Sequence, residues 1–305
     1  MSPFRKGLSV VLAAALSFVI SSNAFADAKI SLRLQGGWAS LSAGDINPAT
    51  GDLFAWAPAN AYIWVGVLDW GGMKALRGGY EFGGDIILEF SPYFGVGIGA
   101  GYIQASQASS GTIGYEESLV VTAGVRADSR ISAVPVRIGL FVTLPLRGKF
   151  RVIANAGVGY YSAAKYKGEW GVGTTLMDSA GPSNLVDTVA EKRSNAFGFH
   201  GGLGIEYSLA SRVGFFIEAR GRYARFRGLE GTSTAIAGHS GLYGQIFPPF
   251  SETGKLYYES VPTIIGSPRL LMVQGAPPDG PGGHPREAVV DFSGISIQAG
   301  VQFRF

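Results

Sequence analysis

Strict alternation of apolar and polar residues recurs in eight stretches of this chain, and it restricts the fold more than any other feature. From Ile30 to Trp38, apolar residues or glycine occupy every second position, with Ser31, Arg33 and Gln35 between them. The same period runs through Tyr80 to Phe90, Phe94 to Tyr102, Val134 to Leu144, Phe150 to Tyr160, Phe197 to Tyr207, Val213 to Tyr223 and Ile295 to Phe305. Side chains on a strand point alternately to its two faces, so each apolar row is one side of a sheet. With each phase set by the apolar residues alone, eleven charges fall on the other side: Arg33, Glu81, Asp85, Glu89, Arg137, Arg151, Glu206, Glu218, Arg220, Arg222 and Arg304. The triplets Glu81, Asp85, Glu89 and Glu218, Arg220, Arg222 test the phase most severely, because three charges must agree on one strand. Each stretch has about the 9 to 11 residues that a tilted strand needs to cross a bilayer.

The connections sort by length. Ser91-Pro92, Pro145 to Lys149 and Ala210 to Arg212 are tight turns. Leu41 to Gly79, Ile103 to Ser132, Ser162 to Ala196 and Ala224 to Ser293 are long, and short and long alternate without exception. Hydrocarbon cannot satisfy the N–H and C=O groups of an open sheet edge, so strands cross a membrane only as a closed cylinder. The expected fold is therefore all-β: an antiparallel up-and-down transmembrane barrel of eight strands, with short periplasmic turns and long extracellular loops. Tyr62 to Leu68, Leu119 to Val125, Leu256 to Ile265 and Leu270 to Val273 are also strand-like. They either extend the strands above the membrane or supply a further pair, which makes ten strands the alternative. Gly275 to Pro285, rich in proline and glycine, reads as irregular loop.

The start of the chain carries an export pattern. Arg5 and Lys6 precede a thirteen-residue apolar run, Leu8 to Ile20, and Ala24-Phe25-Ala26 places small residues where a signal peptidase reads them. The run is shorter than the roughly 20 residues of a spanning helix. Residues 1–26 are expected to be a signal peptide and residues 27–305 the barrel domain, with Ala26-Asp27-Ala28 a second possible cleavage site. No later stretch has 18 consecutive apolar residues; the longest, Ala61 to Met73, contains Asp69. The net charge of +3 falls to about +1 without Arg5 and Lys6, which is no footprint for nucleic acid. There is no cysteine, hence neither disulfides nor thiolate metal sites.

These assignments predict the chemistry of the two faces. The outward rows end in rings such as Trp38, Tyr80, Phe90, Phe94, Tyr102, Phe150, Tyr160, Phe197, Tyr207, Tyr223, Phe303 and Phe305. Such rings suit membrane interfaces, where an apolar body and a polar tip are both satisfied. Inward, six arginines meet five acids in a narrow bore. Buried charges left alone cost several kcal/mol, so the bore is expected to be ion-paired and plugged. A charge-lined narrow channel for small solutes is the alternative. Loop rings at Trp56, Trp64, Trp70, Tyr243, Tyr257 and Tyr258 are candidate contact surface, although Trp64 and Trp70 read better as packed against the barrel rim.

An enzyme is the third reading and the least supported. His200 points inward among glycines, while His239, beside Ser240, and His284 lie in the last long connection. No serine, histidine and acid have a spacing that predicts a triad, and two histidines 45 residues apart are no ligand motif. The Gly-x-Gly strings lie inside strands and precede no helix, so no phosphate loop is expected. No catalytic residue, metal or cofactor is assigned.

The last residues carry a resemblance. Gln298, then Gly300, then aromatics at Phe303 and Phe305 resemble the C-terminal signal that the barrel assembly machinery reads in outer-membrane barrels. From Ile30 onward the chain resembles the eight-stranded outer-membrane barrel superfamily, the group of outer-membrane protein A transmembrane domains and opacity-type barrels. Ser91 to Tyr102 and Val134 to Tyr161 resemble it most. The connections after strands one and seven are long for that group, and no cell-wall-binding domain is expected to follow. The resemblance implies a monomeric, non-enzymatic outer-membrane protein of structural or surface-interaction role. Its implied partners are outer-membrane lipid and, during insertion, the assembly machinery. It names no extracellular ligand.

Overall fold

The computed structural model describes residues 29–61, 72–115, 121–176, 179–180, 184–191, 197–236, 250–260, 267–277 and 286–305. The proposed signal peptide, Trp64, Trp70, His239, Ser240, Tyr243 and His284 lie outside the described residues. The longer strands are β1 (Lys29–Ser40), β2 (Gly78–Glu89), β3 (Phe94–Tyr115), β4 (Val121–Pro145), β5 (Phe150–Leu176), β6 (Asn184–Glu191), β7 (Phe197–Ser208), β8 (Val213–Tyr223), β9 (Glu230–Ile236), β10 (Phe250–Ser260), β11 (Arg269–Gln274) and β12 (Gly294–Arg304). One helix, α1 (Ile46–Ala61), is described between β1 and β2.

Eight of these strands close a ring. β1, β2, β3, β4, β5, β7, β8 and β12 pair antiparallel in that order, and β12 returns to β1. Closure removes every edge within the membrane. All eight strands begin or end within two residues of the alternating stretches at the short-turn end of the ring. That end is pinned locally. The Ser91 hydroxyl accepts from the amides of Tyr93 and Phe94 at 3.2 and 2.9 Å, and Gly148 takes a left-handed φ of 75° in the turn between β4 and β5. There are eight barrel strands, not ten.

The long connections fold instead of trailing as loops. β3, β4 and β5 run on past the barrel, and the upper part of β5 leaves β7 and pairs with β6 from Lys165 to Val172. β9, β10 and β11 follow β6 in the same sheet. α1 touches β11 at one end of this upper sheet and β3 and β4 at the other, so it closes the curl. Its apolar residues Ile46, Ala49, Leu53 and Phe54 fall on one face at helical spacing and are buried. Leu53 and Phe54 pack with Val125, Ala127, Trp170, Val186, Ala235, Leu270 and Met272 in the core of this cap.

Two irregular points lie where barrel becomes cap. Pro135 on β4 lacks an N–H, and the β3–β4 ladder skips its row, as proline in a central strand requires. β5 carries a bulge between its pairings with Val134 and Ser132, where Ala163 takes a φ of 49°. The bulge inserts one residue, so odd positions of β5 point inward below it and even positions above it.

Candidate functional site: the ion-paired lumen and its cap

The barrel exterior is an apolar band. Ile30, Phe82, Ile98, Leu140, Phe199, Leu203, Ile217 and Ile297 are each more than half exposed. A continuous apolar surface of this extent on a folded chain marks a membrane contact. Rings edge it at both ends. Tyr80, Phe82 and Tyr102 cluster at 5.4 to 6.3 Å, and Tyr160 meets Phe197 at 5.6 Å, at the cap end. Phe150 and Tyr207, 5.1 Å apart, mark the short-turn end.

The interior is ionic and dense. Glu81, at 2% exposure, accepts from Arg137 at 2.9 Å and from Arg222 at 3.0 Å. Arg220 reaches Glu218 at 2.8 Å and lies 3.7 Å from Asp85. Asp85 also meets Arg137 at 3.4 Å and accepts from Gln35 at 2.8 Å. These bonds span the bore, because Arg220 on β8 reaches past β12 and β1 to β2, and Arg137 on β4 reaches past β3. Glycines on the intervening β3 make the second crossing possible. A Cβ on Gly99 would collide with the Asp85 carboxylate, and one on Gly101 would lie 3.7 Å from the Arg137 guanidinium.

Below this layer, Arg33 bonds Gln302 at 2.9 Å and Glu218 at 3.5 Å, with the Phe216 and Phe141 rings 4.4 and 5.6 Å from its guanidinium carbon. A guanidinium over ring faces gains cation–π attraction in addition to its ion pair. Nearest the short turns, Arg304 pairs with Glu206 at 2.5 Å and with Glu89 at 3.8 Å, and Glu89 accepts from Ser31 at 2.6 Å. Ten of the eleven charges singled out in the sequence therefore join two linked clusters. Arg151 does not. It faces Glu206 across the β5–β7 ladder, is half-buried at the rim, and has no ion pair among the described residues, because Arg304 holds that carboxylate. Sequence spacing could not rank the two arginines.

Above the ions the bore turns apolar. Ala39, Ile103, Ala105, Ile131, Ala133 and Tyr161 from the barrel strands pack with Leu41, Leu76, Phe226, Leu229, Leu256, Val290 and Phe292 from the connections. Tyr161 meets Phe226 and Phe226 meets Phe292 in tilted ring contacts at 5.5 and 5.7 Å. Arg222 ties the layers together, donating from Nε to the Phe292 carbonyl at 2.8 Å and from Nη2 to the Ser40 carbonyl at 2.6 Å. The cap is locked to this stopper by Asp45, which holds Arg286 through both carboxylate oxygens at 2.6 Å and the Val289 amide at 2.7 Å. The rings Tyr257 and Tyr258, read from sequence as candidate contact surface, are buried, and Trp56 packs against the cap core. The strand alternation around them could not show which face the cap would cover.

His200 lies in the lumen wall opposite Gly157 and Arg222, and its buried Nδ1 has no hydrogen-bond partner among the described residues. The C-terminal residues divide by face. Gln298 points inward and is 1% exposed, whereas Phe305 stands 73% exposed in the lower ring band with its amide on the Ile30 carbonyl. Gly300 is sterically required: a Cβ there would sit 2.3 Å from the Leu34 carbonyl and 2.6 Å from the Phe216 ring.

An edge-free cylinder, oily outside and ionic inside, defines the class: a transmembrane β-barrel. A family model for the outer membrane protein β-barrel domain matches residues 11–240, and the chain belongs to that family. It is an outer-membrane protein. Two solved structures are similar to it. The outer membrane protein OprG from Pseudomonas aeruginosa has 12% identity and a TM-score of 0.34, covering 90% of this chain and 95% of that one. A major outer membrane protein from Thermus thermophilus has 13% identity and a TM-score of 0.35, covering 92% and 100%. No curated protein matches the chain.

Proposed function

We propose that this protein is a non-enzymatic outer-membrane scaffold, in which a closed, ion-paired barrel holds a folded domain at the cell surface. The observation that carries this reading is the bridging of the bore by Arg137, Arg220 and Arg222 to Glu81 and Asp85, under an apolar stopper. Ion pairs that cross the bore occupy the space a solute would need. Residues 1–26 serve as the cleaved export signal. Gln298, Gly300, Phe303 and Phe305 serve as the signal for the assembly machinery. The mature chain works as a monomer in contact with outer-membrane lipid.

One observation favours a narrow channel as the second reading. Gln35 Oε1, both amide atoms of Asn155, His200 Nδ1 and Gln298 Oε1 are buried without a protein partner among the described residues. Buried polar atoms of this kind call for bound water, and a hydrated file is a starting point for conduction. Planar-bilayer recording of the purified protein separates the readings. The scaffold predicts no steady ohmic steps in the intact protein. Large, stable, ohmic channels would establish the second reading and remove the first.

A further inference from the structure

The outer face of the cap just above the membrane carries charge in layers. On β3, β4 and β5 the last lipid-facing row contains Tyr102 and Val134. Two residues on, Lys165 pairs with Glu191 at 2.6 Å. The next row holds Ser106, Arg130 and Lys167 side by side in register. The row beyond holds Asp128 and Glu169, and Asp128 is already engaged by Arg126. Arg130 and Lys167 are both exposed, are directly opposed across the β4–β5 ladder, and have no ion pair among the described residues. Like charges directly opposite each other destabilise a ladder. An open groove of about 390 Å³ runs beside them, lined also by Ser106 and Gln107 and, on the side away from the membrane, by Asp128 and Glu169.

We propose that Arg130 and Lys167 form a docking site for the phosphate of a membrane lipid in the leaflet that faces the cap. The height fits. Tyr102 to Ser106 is four residues, about 13 Å along a strand and less along the membrane normal because barrel strands tilt. Long cationic side chains lay their stems along apolar surface and hold their heads at headgroup level. The charge order fits as well, since the cations occupy the row nearer the membrane and Glu169, an acid without an ion pair among the described residues, lies one row further from it. A guanidinium takes two phosphate oxygens at once, an ammonium a third, and the Ser106 hydroxyl is placed to donate to the same group. A phosphate between the two cations turns their mutual repulsion into shared attraction.

Native mass spectrometry of the full chain in detergent, with bis-phosphorylated lipid A as the probe, tests the proposal. Bound lipid A should drop at least tenfold in the double variant Arg130→Gln, Lys167→Gln. It should persist in Arg126→Gln, which alters the same face, and in the charge-retaining exchange Arg130→Lys with Lys167→Arg. Dephosphorylated lipid A should not bind at this site. Equal binding by wild type and the double variant, with heat-modifiable barrels in both, would overturn the proposal. So would inorganic phosphate at low millimolar concentration displacing the lipid completely, since the site would then select a free anion.

Discussion

The barrel and the cap are built partly from the same three strands, yet their polarity is opposite. Along the lower part of β3, Val96, Ile98 and Ala100 face out while Gly95, Gly97 and Gly99 face in; above Tyr102, Ile103 and Ala105 are buried inside and Ser106 and Ala108 are exposed. β4 makes the same exchange, from exposed Ile138 and buried Arg137 to buried Ile131 and exposed Arg130. The backbone parity of β3 and β4 does not change. What changes is the solvent. In the membrane the outside is hydrocarbon and the ions must hide within, whereas above it the outside is water and the inside must be dry. β5 reaches the same result differently, by shifting its own parity at the Ala163 bulge.

The largest test of this contrast is deletion of Ala163 and Ala164 together. This removes the bulge and one further residue, so the upper part of β5 rotates by one position, which sends Lys165, Lys167 and Glu169 into the cap core and Tyr166 and Trp170 out of it, whereas deletion of Ala163 alone only straightens the ladder and should leave the faces as they are. The cap should unfold while the barrel persists. Limited proteolysis should cleave the chain between β5 and β7, and a heat-modifiability gel should still show a closed barrel. Loss of both together would mean that the two regions are one cooperative unit.

Next in size is Glu81→Ala, which leaves Arg222 with no acid among the described residues and Arg137 with only its longer Asp85 contact. Removing one partner of a buried ion cluster costs about 3–5 kcal/mol. The barrel should unfold at lower temperature in detergent, with the protease resistance of the cap following it, because Arg222 also holds Ser40 and Phe292. Leu53→Ala acts on the cap alone. A core leucine at 1% exposure loses about 2–5 kcal/mol on truncation, read as cap proteolysis at an unchanged barrel melting temperature.

The smallest expected effect is a pH dependence confined to the cap. Glu259 on β10 is buried, and burial together with the nearby Glu252 charge raises its pKa to about 7. An acid whose pKa is higher in the folded state binds more protons there than when unfolded. Cap stability should therefore be greatest below about pH 4.5 as far as this group is concerned, and should fall as the pH rises through 7, by about 1–3 kcal/mol in all. Glu259→Gln, which keeps the shape and the Gln274 contact without the charge, should flatten the profile of cap proteolysis against pH. An unchanged slope would assign the dependence to another group.

Much of the barrel is legible in the sequence because lipid imposes one rule on every crossing strand. The short turns, the eight strands and the inward phase of the charges all follow from it. Reading stops at Tyr102 and Val134 because the apolar row changes parity there, and at Tyr160 because Ser162 and the Ala163 bulge interrupt it, so a continuous strand looks like the end of one. α1 escapes notice for a local reason. Pro48, Gly51 and Pro58 lie within it, all weak helix formers, and contacts with β3, β4 and β11 override their preference. Within the lumen, sequence could place eleven charges on one face but not pair them. Pairing depends on distances across the bore, and only ring closure brings β8 to β2.

A two-residue period with charges on one side already requires these strands to close around an ionic interior, since it leaves hydrocarbon no other acceptable surface. That the long connections fold into a capped second core, and which arginine meets which acid, emerges only once the chain is folded. Those outcomes rest on contacts between residues far apart in the chain, such as Asp45 with Arg286 and Arg220 with Asp85, which no local period encodes.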